Sequence, residues 1–373
     1  MNGWDDVPNA VTALHAAERP AILVGPEGAP AAQLLLDIAE RLGAAVLTTP
    51  DAKSVIDHRR SCGTFSFGSS ALARRVIERA DVILAVSALG EFTCRLGEAF
   101  RGHTLIHVSE RVTDAGRSTR PRYCLVGPKP VDSVRCLLDA LASLRSTSRT
   151  PWFTDDVEQN SAPPCLPLRA GVIHPVAAIA AIEAALPAAA RVCLDVTSGA
   201  LHAYEHLKLT TLQRAFSSIE SSACMGEALM ASLGIRLASN LPTLALVGDW
   251  GYCMTPAEIH TAVELGLDRY VVLVWANAGG AFIGAGVKQQ NIGVPDAVWH
   301  WKSPPDFAKA AIAYGARGVT VTDAATLKRE LVRALRAARP VVIEARIDPT
   351  AVVPAGDRFL TLGDGGGGGG MAA

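Results

Sequence analysis

The sequence predicts an α/β protein built of two doubly wound parallel-sheet domains. Three observations carry this. The length of 373 residues exceeds one ordinary domain. Short β-rich runs alternate with helix-like segments, the pattern of parallel strands joined by crossovers. A polar, Pro- and Ser-rich stretch separates two such series. With 49% hydrophobic and 19% charged residues and a mean hydropathy of +0.24, the composition is that of an Ala-rich globular protein and excludes disorder for most of the chain.

The first domain is expected over residues 1–145, where the runs Pro20–Val24, Ala44–Thr48, Asp81–Val86 and Thr104–Val108 each stop at or just before Gly, Thr or Ser. Residues 146–170, with the acidic Asp155-Asp156-Val157-Glu158, read as a linker. Alternation resumes over 171–352. A helix is expected at about His174–Leu186, stopping before Pro187, and strands at Arg191–Asp195, Thr243–Val247, Tyr270–Trp275 and Pro340–Arg346. Residues 353–373 thin out to a Gly-rich tail without core-forming residues.

A formal charge of −1 and a pI near 6.8 give no electrostatic reason to invoke nucleic acid or an anionic membrane surface, and favour small-molecule chemistry. Eight cysteines (62, 94, 124, 136, 165, 193, 224 and 253) form no Cys-x-x-Cys pair. They read as buried free thiols of a reducing compartment. The N-terminus lacks a basic region followed by an apolar stretch, so no signal peptide and a cytoplasmic location are expected. The apolar run from Tyr270 to Val287 is broken by Asn277 and four glycines, which suits a buried strand and turn rather than a membrane span.

Chemistry concentrates at two strand ends. Thr243–Val247 runs into Gly248-Asp249-Trp250-Gly251 and a helix, for which Thr255, Pro256 and Glu258 offer a capping box. Tyr270–Trp275 runs into Ala276-Asn277-Ala278-Gly279-Gly280. Open parallel sheets bind ligands at the carboxyl ends of their strands. If the two strands are neighbours, the Asp249 carboxylate and Asn277 carboxamide can meet one ion. Mg²⁺ takes hard oxygen ligands, with one or two protein carboxylates and substrate phosphates. The flanking glycines let backbone approach a diphosphate closely.

Gly-Asp, a helix, an apolar strand and then Asn resembles the signature of thiamine diphosphate-dependent enzymes, with Asp249 and Asn277 spaced within that family's range. The resemblance implies that Asp249, Asn277 and the Gly279 carbonyl hold Mg²⁺, with Gly248, Trp250 and Gly251 beside the cofactor. Trp250 stands where the family has Gly, and Ala276 where it has a first Asn. The segment Phe216–Gly226 resembles the one that props thiamine into its bent conformation, which makes Met225 the wedge and the Ala223 carbonyl an acceptor for the 4′-amino group. Asp195–Gly199 resembles the loop on the diphosphate, implying contacts from Ser198 and Gly199. Taken singly, Met225 reads as core and Ser198 as a helix cap.

In the first domain, Arg19–Gly25, Leu36–Ala44, Val46–Lys53, Gly63–Gly68, Ala80–Val86 and Leu125–Gly127 resemble the Rossmann-like central domain of the acetolactate synthase, pyruvate oxidase and 2-oxo acid decarboxylase group. The likeness covers about residues 20–350. Gly25-Pro26-Glu27-Gly28 lacks the three-glycine dinucleotide fingerprint, so a structural turn is favoured over FAD or CoA binding.

In that family an activating glutamate comes from a pyrimidine-binding domain that precedes the central one. Glu18, Glu27 and Glu220 lie in no segment resembling it. The resemblance therefore implies one subunit of a split, two-component enzyme. It would be a thiamine diphosphate- and Mg²⁺-dependent lyase or transferase, decarboxylating or ligating a small 2-oxo acid. Its expected partner is a pyrimidine-binding-domain subunit in a hetero-oligomer, expected to be a heterotetramer. Two other readings stay open: a non-catalytic scaffold that retains the fold, and an ordinary nucleotide-binding α/β protein. Among the histidines, His202, near Ser198 and four residues before His206, is the candidate proton shuttle. Lys288, Gln289 and Gln290 fall where the family closes a segment over substrate.

Overall fold

Strands buried on both faces must be covered on both, and the apolar runs of the first domain are covered in this way. A computed structural model describes residues 6–66, 69–90, 99–111, 119–144, 149–153, 169–219 and 223–354. Cys94, Cys165, Glu220, Gly68, residues 155–158 and nearly all of the expected tail lie outside them. The chain divides into two compact units.

The first unit orders α1 (Val7–Ala16), β1 (Pro20–Val24), α2 (Ala32–Leu42), β2 (Ala45–Thr48), α3 (Ala71–Arg79), β3 (Val82–Val86), β4 (Thr104–Ser109), β5 (Tyr123–Val126) and α4 (Pro130–Ser143). The sheet runs β2-β1-β3-β4-β5, parallel throughout. Along β1 the period of two sends Ile22 and Val24 into a core with α1, α2 and α4. Ala21 and Leu23 go into a second core with α3. Full burial of each such Val, Leu or Ile contributes roughly 1.5–3 kcal/mol. Helix α2 ends where Gly43 adopts φ 64°, the left-handed cap that glycine takes without Cβ strain.

The Gly25–Gly28 turn has a packing explanation. Gly25 donates its N–H to the Val86 carbonyl at 2.8 Å, and a Cβ on it would lie 1.8 Å from the Ser87 carbonyl oxygen. Residues 149–153, expected in the linker, are bound to the first unit. Arg149 donates to the carbonyls of His15 and Ala17, and the Trp152 indole donates to Pro20 at 2.7 Å.

The second unit orders α5 (Pro175–Ala185), β6 (Ala190–Leu194), α6 (Ser198–His206), β7 (Gln213–Ser217), α7 (Glu227–Ser239), β8 (Thr243–Gly248), α8 (Asp249–Met254), α9 (Glu258–Glu264), β9 (Tyr270–Ala276), α10 (Ala281–Gln289), α11 (Phe307–Ala313), β10 (Arg317–Val321), α12 (Ala324–Ala334) and β11 (Val341–Arg346). Its parallel sheet is ordered β10-β11-β9-β8-β6-β7. Strands β6 and β8 are neighbours whose connections leave toward opposite sides, which makes the crevice past their carboxyl ends the topological switch point. The expected helix ends are its caps: His174 accepts from the Val176 N–H, and Leu186 is the C-cap. No helix among the described residues is long and apolar enough to cross a membrane.

Two expectations are corrected, and two strands add to those expected. Strands β7 and β10 have no continuous apolar run to announce them, because each lies at a sheet edge and is only partly buried. The Thr255–Glu258 capping box does not form. Gly248 is already the N-cap of α8, Thr255 ends that helix with its hydroxyl donating to Gly251, and α9 starts from Ala257 without a side-chain cap. Of the described cysteines only Cys193 is buried, whereas Cys224 and Cys253 are exposed.

His202 on α6 is 4% exposed, stacked between His206 at 6.2 Å and the Trp275 ring at 6.1 Å. Among the described residues its Nδ1 has no hydrogen-bond partner, and burial pushes its pKa down to about 3.

Two predictions follow from this packing. Gly25→Ala should destabilise the first unit by about 1–3 kcal/mol through overpacking, read as a lowered urea midpoint; an unchanged midpoint would contradict the close approach to Ser87. A histidine held neutral in the fold protonates on unfolding, so its stabilisation is complete above its ordinary pKa near 6.5 and is lost as pH falls toward 3. Between pH 7 and 5, wild type should therefore lose about 2 kcal/mol more than His202→Gln. Parallel pH dependence of the two proteins in urea titrations would exclude this.

Candidate functional site

The site is built on the β8–β9 pairing. Leu246 faces Leu273, Val247 faces Val274 and Gly248 faces Trp275 in parallel register, so Asp249 and Asn277 emerge side by side at the carboxyl edge. Asp249 is 2% exposed. Its Oδ2 accepts the Gly279 N–H at 2.7 Å and its Oδ1 the Trp250 N–H at 2.9 Å. Burial pushes its pKa up to about 6, against the opposing pull of these N–H donors. The turn after β9 is shaped for this contact. Ala278 has φ 65° and Gly279 φ 133°, and a Cβ on Gly279 would lie 2.1 Å from the Trp299 carbonyl oxygen.

Asn277 is buried, and its Nδ2 donates to Ser198 Oγ at 3.0 Å. This orientation is fixed by that bond and leaves Oδ1 as an acceptor without a protein donor among the described residues. Ser198 does not cap its helix. Thr197 does, accepting from the Gly199 N–H, which frees the Ser198 hydroxyl for Asn277. The first turn of α6 thus joins the same edge, and Gly199 is required there because a Cβ would lie 2.8 Å from the Trp275 ring.

The expected ligand set fits a hard cation in its chemistry: a buried carboxylate and a free carboxamide oxygen lie on adjacent strand ends. Gly279 touches Asp249 through its N–H rather than its carbonyl, which accepts from Ala281. Trp250 contributes its backbone N–H to Asp249. Its ring covers Gly280, where a Cβ would lie 2.9 Å away, and lies 6.4 Å from the Trp301 ring. Among the described residues no group of three His, Cys, Asp or Glu side chains could hold a metal, so His202 and His206 gain no third ligand.

The expected ring-end residues reach the site through a residue the sequence reading left without a role. Asp195, fully buried one position past β6, accepts the Gly226 N–H at 2.9 Å and the Ala228 N–H at 3.2 Å. It thereby fixes the start of α7, just after Ala223 and Met225. Both of these are half-buried, and Ala223 has φ 53°. Burial also pushes Asp195 up to about 6. The available signal was an acidic residue directly after a buried strand, which is costly unless its charge is met.

Comparison with known proteins identifies both domains. Residues 7–131 match the family described as thiamine pyrophosphate enzyme, central domain, and residues 195–345 match thiamine pyrophosphate enzyme, C-terminal TPP binding domain. The chain is 24% identical over 353 residues to the acetolactate synthase large subunit of Parasynechococcus marenigrum (strain WH8102), covering 91% of this chain and 56% of the relative. It is 27% identical over 340 residues to a probable 2-ketoarginine decarboxylase of Pseudomonas aeruginosa, covering 86% and 57%. It shares the fold of the Rhodococcus jostii RHA1 thiamine diphosphate-dependent 4-hydroxybenzoylformate decarboxylase, with a TM-score of 0.73 at 21% identity over 92% of this chain and 64% of that one. The chain thus spans less than two thirds of these proteins. On these two family matches the chain belongs to the thiamine pyrophosphate enzymes, of which it carries the central domain and the C-terminal TPP binding domain.

Proposed function

We propose that the chain is the diphosphate-binding component of a thiamine diphosphate- and Mg²⁺-dependent 2-oxo acid decarboxylase or carboligase of the acetolactate synthase kind. The observation that carries this reading is the buried Asp249 carboxylate set beside the Asn277 carboxamide on adjacent strand ends. Thiamine diphosphate, when bound, supplies the acidic carbon that adds to the substrate carbonyl and accepts the electron pair left by CO₂. In this reading Asp249, Asn277 and the Gly279 carbonyl hold Mg²⁺, and Ser198 and Gly199, in the first turn of α6, receive the diphosphate. Met225 and the Ala223 carbonyl orient the thiamine.

The activating glutamate and the pyrimidine pocket come from a partner polypeptide in a hetero-oligomer. One surface supports a partner. Helix α7 presents Met230, Gly234, Leu237 and Ala238 to solvent, with Met230 45% and Leu237 54% exposed and, among the described residues, nothing within 4 Å of the Gly234 Cβ position. Its only charged residues are Glu227 in the first turn and Arg236, which is buried and paired with Asp268. A helix apolar on both faces is one that is covered on both.

Calorimetric titration of the full chain with thiamine diphosphate and Mg²⁺ tests the site. Asp249→Ala should weaken Mg²⁺-dependent binding more than about 100-fold, beyond the usual effect of an outer-shell partner. The scaffold alternative, which draws on Trp250 and Ala276, requires that wild type bind no cofactor. The partner reading is tested by reconstitution. Adding a pyrimidine-binding polypeptide should produce 2-oxo acid consumption that neither chain shows alone, and Leu237→Asp should weaken their association at least about tenfold. Full turnover by this chain alone would refute it.

A further inference from the structure

The N-terminus of α7 is capped in an unusual way. Helices ordinarily cap themselves with a Ser, Thr, Asp or Asn at the N-cap position. Here that position is Gly226, at φ 84°, which has no side chain to offer. The cap is imported from the end of another strand, because the Asp195 carboxylate bridges the N–H groups of Gly226 and Ala228 with one oxygen each. A carboxylate is the favoured charge at a helix N-terminus, and two N–H donors are what a buried one requires. Asp195 is also tied to its own sheet, its N–H donating to the Leu246 carbonyl of β8 at 3.0 Å.

A third element closes on the same carboxylate. A Cβ on Gly251 would lie 2.3 Å from Asp195 Oδ2, and one on Gly226 would lie 3.1 Å from the Gly251 carbonyl oxygen and 3.0 Å from the Thr255 side chain. Asp195, Gly226 and Gly251 are therefore in mutual contact. Gly251 lies two residues from Asp249 on α8, and Gly226 follows Met225 directly. The carboxylate thus fixes the register between the helix that carries the metal-site aspartate and the segment that carries Ala223 and Met225. A local cap on α7 would stabilise that helix equally well without setting this register.

We propose that Asp195 is a positioning residue for the cofactor's ring end, setting Ala223 and Met225 against a diphosphate held from Asp249. This rests on the reading of the site as a thiamine diphosphate site. It assigns Asp195 no contact with substrate or cofactor.

The two ends of the cofactor can be probed separately on the full chain. Calorimetry with Mg²⁺ gives one dissociation constant for thiamine diphosphate and one for inorganic diphosphate, which lacks the rings. Asp195→Asn keeps the side chain's size but presents an N–H to one of the two donors. It should weaken thiamine diphosphate binding about tenfold or more, while inorganic diphosphate binding stays within about twofold. A merely structural role would lower both affinities together, or lower the urea midpoint alone, and either result overturns the proposal. So does a wild type that binds the two ligands equally. If wild type binds neither, the reading of the site itself has failed, which is a distinct result. Should Asp195→Asn not fold, Ala228→Pro removes one donor of the same bridge at a first-turn position where proline is compatible with a helix, and the same two constants decide.

Discussion

Burying a carboxylate is expensive, and the second unit places Asp249 at 2% exposure where two N–H donors meet it. One is local, from Trp250, and the other crosses from Gly279 at the end of the neighbouring strand. The second is possible only because Ala278 and Gly279 both take positive φ and turn the chain back over the end of β8. Slipping the strand pairing by one residue would invert which side chains face the core and would also separate the carboxylate from its donor. The apolar run of β9 and the geometry of the polar site are therefore one constraint. Leu273 and Val274 in the core hold Asn277 and Gly279 where Asp249 needs them.

The same logic organises the rest of the edge. Asn277 spends its amide on Ser198, which is available because Thr197 caps α6. Asp195 spends both oxygens on the start of α7. Asp249, Asn277 and Asp195 are thus each bonded to an element other than their own, so β6, β8 and β9 and the starts of α6 and α7 are mutually registered. Both carboxylates keep pKa values near 6, raised by burial. A positive charge beside Asp249 would favour its charged form.

Much of this was legible in the sequence, for identifiable reasons. The central strands are buried on both faces, so Pro20–Val24, Thr243–Val247 and Tyr270–Trp275 read as unbroken apolar runs. Asp249 and Asn277 stand out because they interrupt such runs at their ends. The edge strands β7 and β10 were not legible because each is only partly buried, and Arg214 or Thr320 in such a strand looks like loop. Thr255 and Glu258 mimicked a capping box because the chain enters a helix six residues earlier, at Asp249, and the sequence pattern does not record which turn comes first. Asp195 was not legible as a cap because its donors are more than thirty residues away, and no local pattern encodes a bridge of that span.

The two departures from the family's motif, Trp250 and Ala276, are accommodated without disturbing the acceptors. Trp250 sends its ring over Gly280, where any side chain would collide with it, so the bulky residue and the absent one form a single packing pair. What Asp249 takes from Trp250 is a backbone N–H, which any residue but proline would supply. Ala276 serves the sheet through its backbone, its carbonyl accepting the Ile347 N–H at 2.9 Å, and that bond is equally independent of the side chain. Both substitutions therefore change groups that the acid–amide pair does not use. The parts it does use, a strand register, a turn at positive φ and a serine released from capping, are all in place.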